Sequence, residues 1–133
     1  MAARREDWPQ RLAAYIDAHR DTAFAWGAFD CARFAAGWVI EATGEDPIAD
    51  LVWTDQRSAL ATLKRLGGLR VAVEDRLGAP ISAALAQRGD VVLHELAERA
   101  GLGVCVGAEF AAPSADGGLA FAPMALARMA WRV

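Results

Sequence analysis

Phe24-Ala25-Trp26-Gly27-Ala28-Phe29-Asp30-Cys31-Ala32-Arg33-Phe34 decides how this chain is read. An aromatic approach leads into Asp30, a residue type whose short carboxylate caps helix N-termini. Beyond it Phe34, Ala35, Trp38 and Val39 recur at the spacing of a buried helix face, and Gly44 marks a stop. Cys31 is therefore expected to open a buried helix. There the helix dipole and unpaired backbone N–H groups favour thiolate and help hold an oxyanion. The competing reading of the same cysteine is a small core side chain.

Upstream, Asp7-Trp8-Pro9 reads as a helix start, and Trp8, Leu12, Tyr15 and Ile16 carry an apolar stripe to about His19. Downstream, Asp46-Pro47 is a turn. Thr54 or Asp55 then caps a third helix whose expected buried face is Leu60, Leu63 and Leu66, closed by Gly67-Gly68. A short helical piece from Val71 to Leu77 breaks at Gly78-Ala79-Pro80. The period then changes. Asp90–His94 and Leu102–Gly107 read as strands, joined through Glu98-Arg99-Ala100-Gly101. Asp116-Gly117-Gly118 is a hairpin turn before Leu119-Ala120-Phe121, and Ala130–Val133 is a closing strand. Helices first and strands second, without repeats or a linker, predict one α+β domain over residues 1–133 with an antiparallel sheet.

Composition sets the outer bounds. The chain has 133 residues, 55% hydrophobic, with five Trp and five Phe, enough to build a core without metal or disulfides. Its formal charge of −3 and the lack of a basic run beyond Arg4-Arg5 argue against a nucleic-acid partner. No apolar stretch approaches the roughly 18–20 residues of a membrane span, so no membrane partner is expected. The acidic, helical N-terminus lacks the apolar run of a signal peptide, which implies synthesis in the cytoplasm. The two cysteines do not form a disulfide framework, although a single Cys31–Cys105 bridge stays open. Two His and two Cys so dispersed give no metal-ligand spacing, and no cofactor motif is present.

The segment from Phe24 to Phe34 resembles the nucleophile segment of NlpC-type cell-wall peptidases, where a Trp-Gly pair precedes Asp-Cys at the head of the central helix. Gln87-Arg88-Gly89-Asp90-Val91-Val92-Leu93 is similar to that family's Pro-Gly-Asp-Leu strand start. Gly101-Leu102-Gly103-Val104-Cys105-Val106-Gly107 is similar to its His-Val-Gly-Ile-Tyr-x-Gly strand. With the terminal Ala130-Trp131-Arg132-Val133, the pattern looks most like small NlpC-like proteins of phages, prophages and gene-transfer agents, which are encoded among tail genes. The resemblance implies a papain-like α+β fold, a Cys31 nucleophile position, and incorporation into a phage-type tail.

One departure matters. The family's general base is the histidine that starts the second strand, and this chain has Gly101 there. The family's third polar member is not evident around Leu119-Ala120-Phe121. His94 is the candidate for a relocated base; a hairpin pairing Leu96 with Gly101 would put it on the same sheet face as position 101, about two residues away. An edge or surface histidine is the alternative. His19, late in the first helix, suits a helix-end role in contact with solvent. Asp30 reads as a helix cap, Asp90 as a partner for backbone N–H groups, and Trp26 as core or as groove wall near Cys31. Trp26, Asp30 and Gly101 would then surround the groove.

Three functions follow. The first is a tail-tip or tail-assembly component with a degenerate NlpC-like fold, partnered by other tail proteins. The second is an active cysteine amidase cleaving peptidoglycan peptides with Cys31 and a non-standard base. The third is a module that binds such a peptide without cutting it.

Overall fold

Asp30 and Asp55 start two of the helices as their residue type predicts, each accepting the backbone N–H three residues on. The computed structural model describes residues 2–96 and 99–133. Its helices are α1 (Trp8–His19), α2 (Cys31–Thr43), α3 (Gln56–Arg65) and α4 (Leu69–Leu77). The strands follow as β1 (Val91–His94), β2 (Gly101–Cys105), β3 (Glu109–Pro113), β4 (Leu119–Pro123) and β5 (Ala127–Trp131). They form one antiparallel sheet in the order β4-β3-β2-β1-β5. The domain is α+β, as the order of periodicities implies.

Alternation along the strands divides the core in two. On one face Val91, Leu93, Leu102 and Val104 meet α2 through Phe34, Ala35, Trp38 and Val39, with Leu12 and Ile16 of α1 behind them. On the reverse face Val92, Cys105, Phe110, Ala112 and Ala130 lie under Ile81, Ala86 and Met124. Both faces of β1 are thus covered, and all four of its residues are buried. Cys31 packs with the α2-side cluster and Cys105 with the reverse one, so the sheet separates them and both are free thiols.

Several expectations need correction. Leu60 is 55% exposed; the buried residues of α3 are Ala59 and Thr62, because the helix turns only its small residues to the core. The fourth helix begins at Leu69, before Val71. Strand β3 was not expected, since Glu109-Phe110-Ala111-Ala112-Pro113 carries a single strong β-former; its pairing with β2 and β4 supplies what propensity does not. The last two strands run Leu119–Pro123 and Ala127–Trp131, and β5 adds to β1 at the sheet edge. Two residues of the Glu95–Ala100 connection, 97 and 98, lie outside the described residues.

A clasp ties the chain ends to the start of β1. The Arg4 guanidinium donates to Asp90 Oδ1 at 2.9 Å, to the Arg88 carbonyl at 2.8 Å and to the Val133 carbonyl at 2.6 Å. Asp90 also accepts from the backbone N–H groups of Gln87 and Val133. Asp90 is fully buried while Arg4 is mostly so. Arg4→Ala would strand a buried carboxylate and is expected to lower stability by about 3 kcal/mol in urea unfolding. Arg4→Lys should restore only part, because an ammonium cannot reach all three acceptors.

Candidate functional site

The site is organised around the Asp30 carboxylate, only 2% exposed. Oδ1 accepts the Arg33 N–H at 2.9 Å and so caps α2; Oδ2 accepts the Gly27 N–H at 2.8 Å and the Trp53 indole N–H at 2.7 Å. Gly27 has φ +81, and a Cβ there would collide with the Trp53 carbonyl oxygen. Only glycine permits this tight approach. The Arg33 guanidinium lies 4.2 Å above the Trp53 ring. Trp53 is a site residue that sequence reading missed, because a lone Trp between turn residues carries no periodic signal. Trp26 packs beside it, against the cluster of Leu51, Trp53 and Ala59.

Cys31 is the first residue of α2 and packs against the cluster that includes Leu93 and Leu102. Burial pushes the thiol up from its ordinary value, and the Asp30 carboxylate adds to the rise. Backbone N–H groups of Leu102, Ala32 and Cys31 itself offset only part of this. The helix start alone therefore does not make a thiolate here.

His94 closes β1, and its Cα partner is Gly101 itself, two residues closer than the Leu96–Gly101 pairing considered from the sequence. Its ring sits over that glycine: a Cβ on Gly101 would lie 2.9 Å from Cε1 and 3.0 Å from Nε2. The ring stacks on Phe110 with centroids 5.2 Å apart. Nδ1 accepts the Leu96 N–H at 3.2 Å, so in the neutral ring the proton belongs on Nε2. Nε2 is buried and has no hydrogen-bond partner among the described residues. Burial holds the imidazole below its ordinary value, and the Leu102 backbone counters only in part. His94 is thus neither an edge nor a surface histidine.

Cys31 and His94 border one cleft of about 900 Å³ together with Trp26, Asp30 and Gly101. Cys31 packs with the α2-side cluster that includes Leu93, whereas the His94 ring stacks on Phe110 of the reverse-face cluster. The strand next to β2 is β3, and its buried residues are Phe110, Ala111 and Ala112. The one polar side chain of β3, Glu109, is exposed, and Leu119-Ala120-Phe121 carries none to orient an imidazole. His19 ends α1 as expected and is partly exposed, with its ring also packed 4.5 Å from Tyr15 and 5.2 Å from Phe29, and burial lowers its pKa. Among the described residues no group of three or more His, Cys, Asp or Glu is placed to hold a metal ion, and no helix is long and apolar enough to cross a membrane.

Fold and site together define an α+β domain with a capped, cysteine-headed helix beside an apolar cleft. The chain belongs to the DUF6950 family, described as a domain of unknown function, whose model matches residues 3–133. No curated protein matches it.

Two predictions follow from this geometry. Asp30→Ala orphans three N–H donors at about 1–3 kcal/mol each, so chemical denaturation should show a loss of about 3 kcal/mol or more. The second concerns pH. The folded state holds His94 and His19 below their ordinary value, so the unfolded chain binds protons first as pH falls. Stability is complete above about pH 6.5 and declines as pH drops below it; His94→Gln should make that decline shallower in melts between about pH 7.5 and 5.

Proposed function

We propose that this chain is an NlpC-like domain that keeps a papain-like framework without its chemistry and serves as a component of a phage-type tail. One observation carries the loss of chemistry. The histidine lying over Gly101, where the family's base would stand, has Nδ1 committed to the Leu96 N–H and a proton on Nε2. A general base needs a free lone pair aimed at the nucleophile, and losing a positioned base forfeits about 10²–10⁴-fold in rate. Cys31 points the same way, because burial favours the neutral thiol. The motif order from Phe24 to Gly107 and the α2-on-sheet packing support the family resemblance, and the terminal Ala130-Trp131-Arg132-Val133 is the part of it that points to tail-encoded proteins.

The amidase reading keeps one observation, that Cys31 and His94 border the same cleft. It requires the His94 ring to leave Leu96 and Phe110 and present a free ring nitrogen to Cys31 Sγ. The peptide-binding reading requires a cleft that satisfies a polar backbone, and this one is lined chiefly by apolar side chains.

Iodoacetamide labelling near pH 7.5, with peptide mapping to separate Cys31 from Cys105, tests the chemistry. Cys31 should react at least about tenfold more slowly than free cysteine, and a rate at or above it would restore the amidase reading. Stoichiometric presence in purified particles tests the tail assignment; a protein found only free in the lysate defeats it.

A further inference from the structure

Helix α3 carries charge that its surroundings do not neutralise. Its sequence from Gln56 to Arg65 holds three cations and no acid, in a chain whose formal charge is −3. Arg57 and Lys64 stand one turn before and one turn after Leu60, and all three residues are exposed, Leu60 by 55%. Among the described residues neither Arg57 nor Lys64 forms an ion pair. The other cations of α3 and α4 have acids to face: Arg70 pairs with Glu74, Arg76 pairs with Asp50, and Arg65 also helps to lower the Asp50 pKa.

The same helix forms one wall of the cleft. Leu60, Leu63 and Leu66 border it from α3 and its C-cap, Leu69 and Leu77 border it from α4, and none of the five is fully buried. Gln56 and Arg99 also line the cleft, so its apolar walls are interrupted by polar groups. An opening of about 900 Å³ with leucines along one wall and cations beside Leu60 suits one face of an amphipathic helix. A helix satisfies its own backbone hydrogen bonds and can lie against leucines, whereas an extended peptide would turn unpaired N–H and C=O groups toward them.

We propose that the cleft receives an acidic amphipathic helix of a partner protein, its apolar face against the α3–α4 leucines and its flanking carboxylates beside Arg57 and Lys64. The leucine wall supplies the affinity, and the two free cations set the orientation and reject basic helices. The proposal rests on this surface and not on the tail assignment, so either can fail without the other.

The probe is a fluorescein-labelled peptide with leucine at i, i+3, i+4 and i+7, glutamate beside the leucines, and alanine and glutamine elsewhere. Its anisotropy on titration with the full chain should saturate at one equivalent, and added salt should weaken the binding. The same peptide with lysine in place of glutamate should bind at least about tenfold more weakly. Leu60→Glu should weaken binding of the acidic peptide about tenfold, and so should Arg57→Glu combined with Lys64→Glu. Leu126→Glu is the control, because Leu126 is 51% exposed just before β5 and does not border the cleft; it should leave binding unchanged. All the substituted positions are exposed, so the variants should fold, which circular dichroism checks. Non-saturating binding overturns the proposal, as do equal affinity for the lysine peptide, unchanged affinity in both cleft variants, or an equal loss in Leu126→Glu. Light scattering and vesicle flotation separate the other occupants. A dimer that Leu60→Glu dissociates assigns the face to a second copy, and phosphatidylglycerol vesicles that bind and displace the peptide assign it to a lipid surface; either result overturns the partner-helix proposal.

Discussion

The buried carboxylate of Asp30 holds three separate pieces of chain to one point. It caps α2 through Arg33, fixes the Gly27 turn, and anchors the loop after α2 through the Trp53 indole. Each donor would otherwise be an unsatisfied N–H in an apolar setting, so the arrangement is cooperative in the sense that none of the three can leave cheaply. Trp53 in turn seats α3 through Leu51 and Ala59, and α3 supplies one wall of the cleft. The same cap sets where α2 starts, and hence where Cys31 sits.

The second constraint is the register of β1 on β2. Pairing His94 with Gly101 places an imidazole over a residue with no side chain to obstruct it. The absent side chain of Gly101 is what admits the His94 ring against Phe110. Cys31 and His94 border the same cleft, while the His94 ring stacks on Phe110 and its Nδ1 accepts from the Leu96 N–H.

Much of this was legible in residues with strong local rules. The cap at Asp30, the stripe Phe34-Ala35-Trp38-Val39 and the stop at Gly44 made α2 readable, because capping and periodicity act within a few residues. Strands β1 and β2 were readable as apolar runs bounded by turn signals. The face of α3 was misread because leucines at helical spacing announce an apolar face without saying whether core or cleft covers it. Strand β3 escaped because Ala111 and Ala112 have little β preference of their own; neighbours on both sides make the strand.

The sequence by itself determined the helix that carries Cys31, the order of helices before strands, and the absence of histidine at position 101. These depend on residue identity and short-range spacing. Only the tertiary structure decided that His94 faces Gly101 directly, that Trp53 completes the Asp30 site, and that Arg4 clasps Asp90. Each of those joins residues distant along the chain or turns on strand register, and a one-residue slip in register would have sent His94 to a different partner. Cys31 could be placed from the sequence; whether its thiol ionises depends on the burial around it, which no local pattern records.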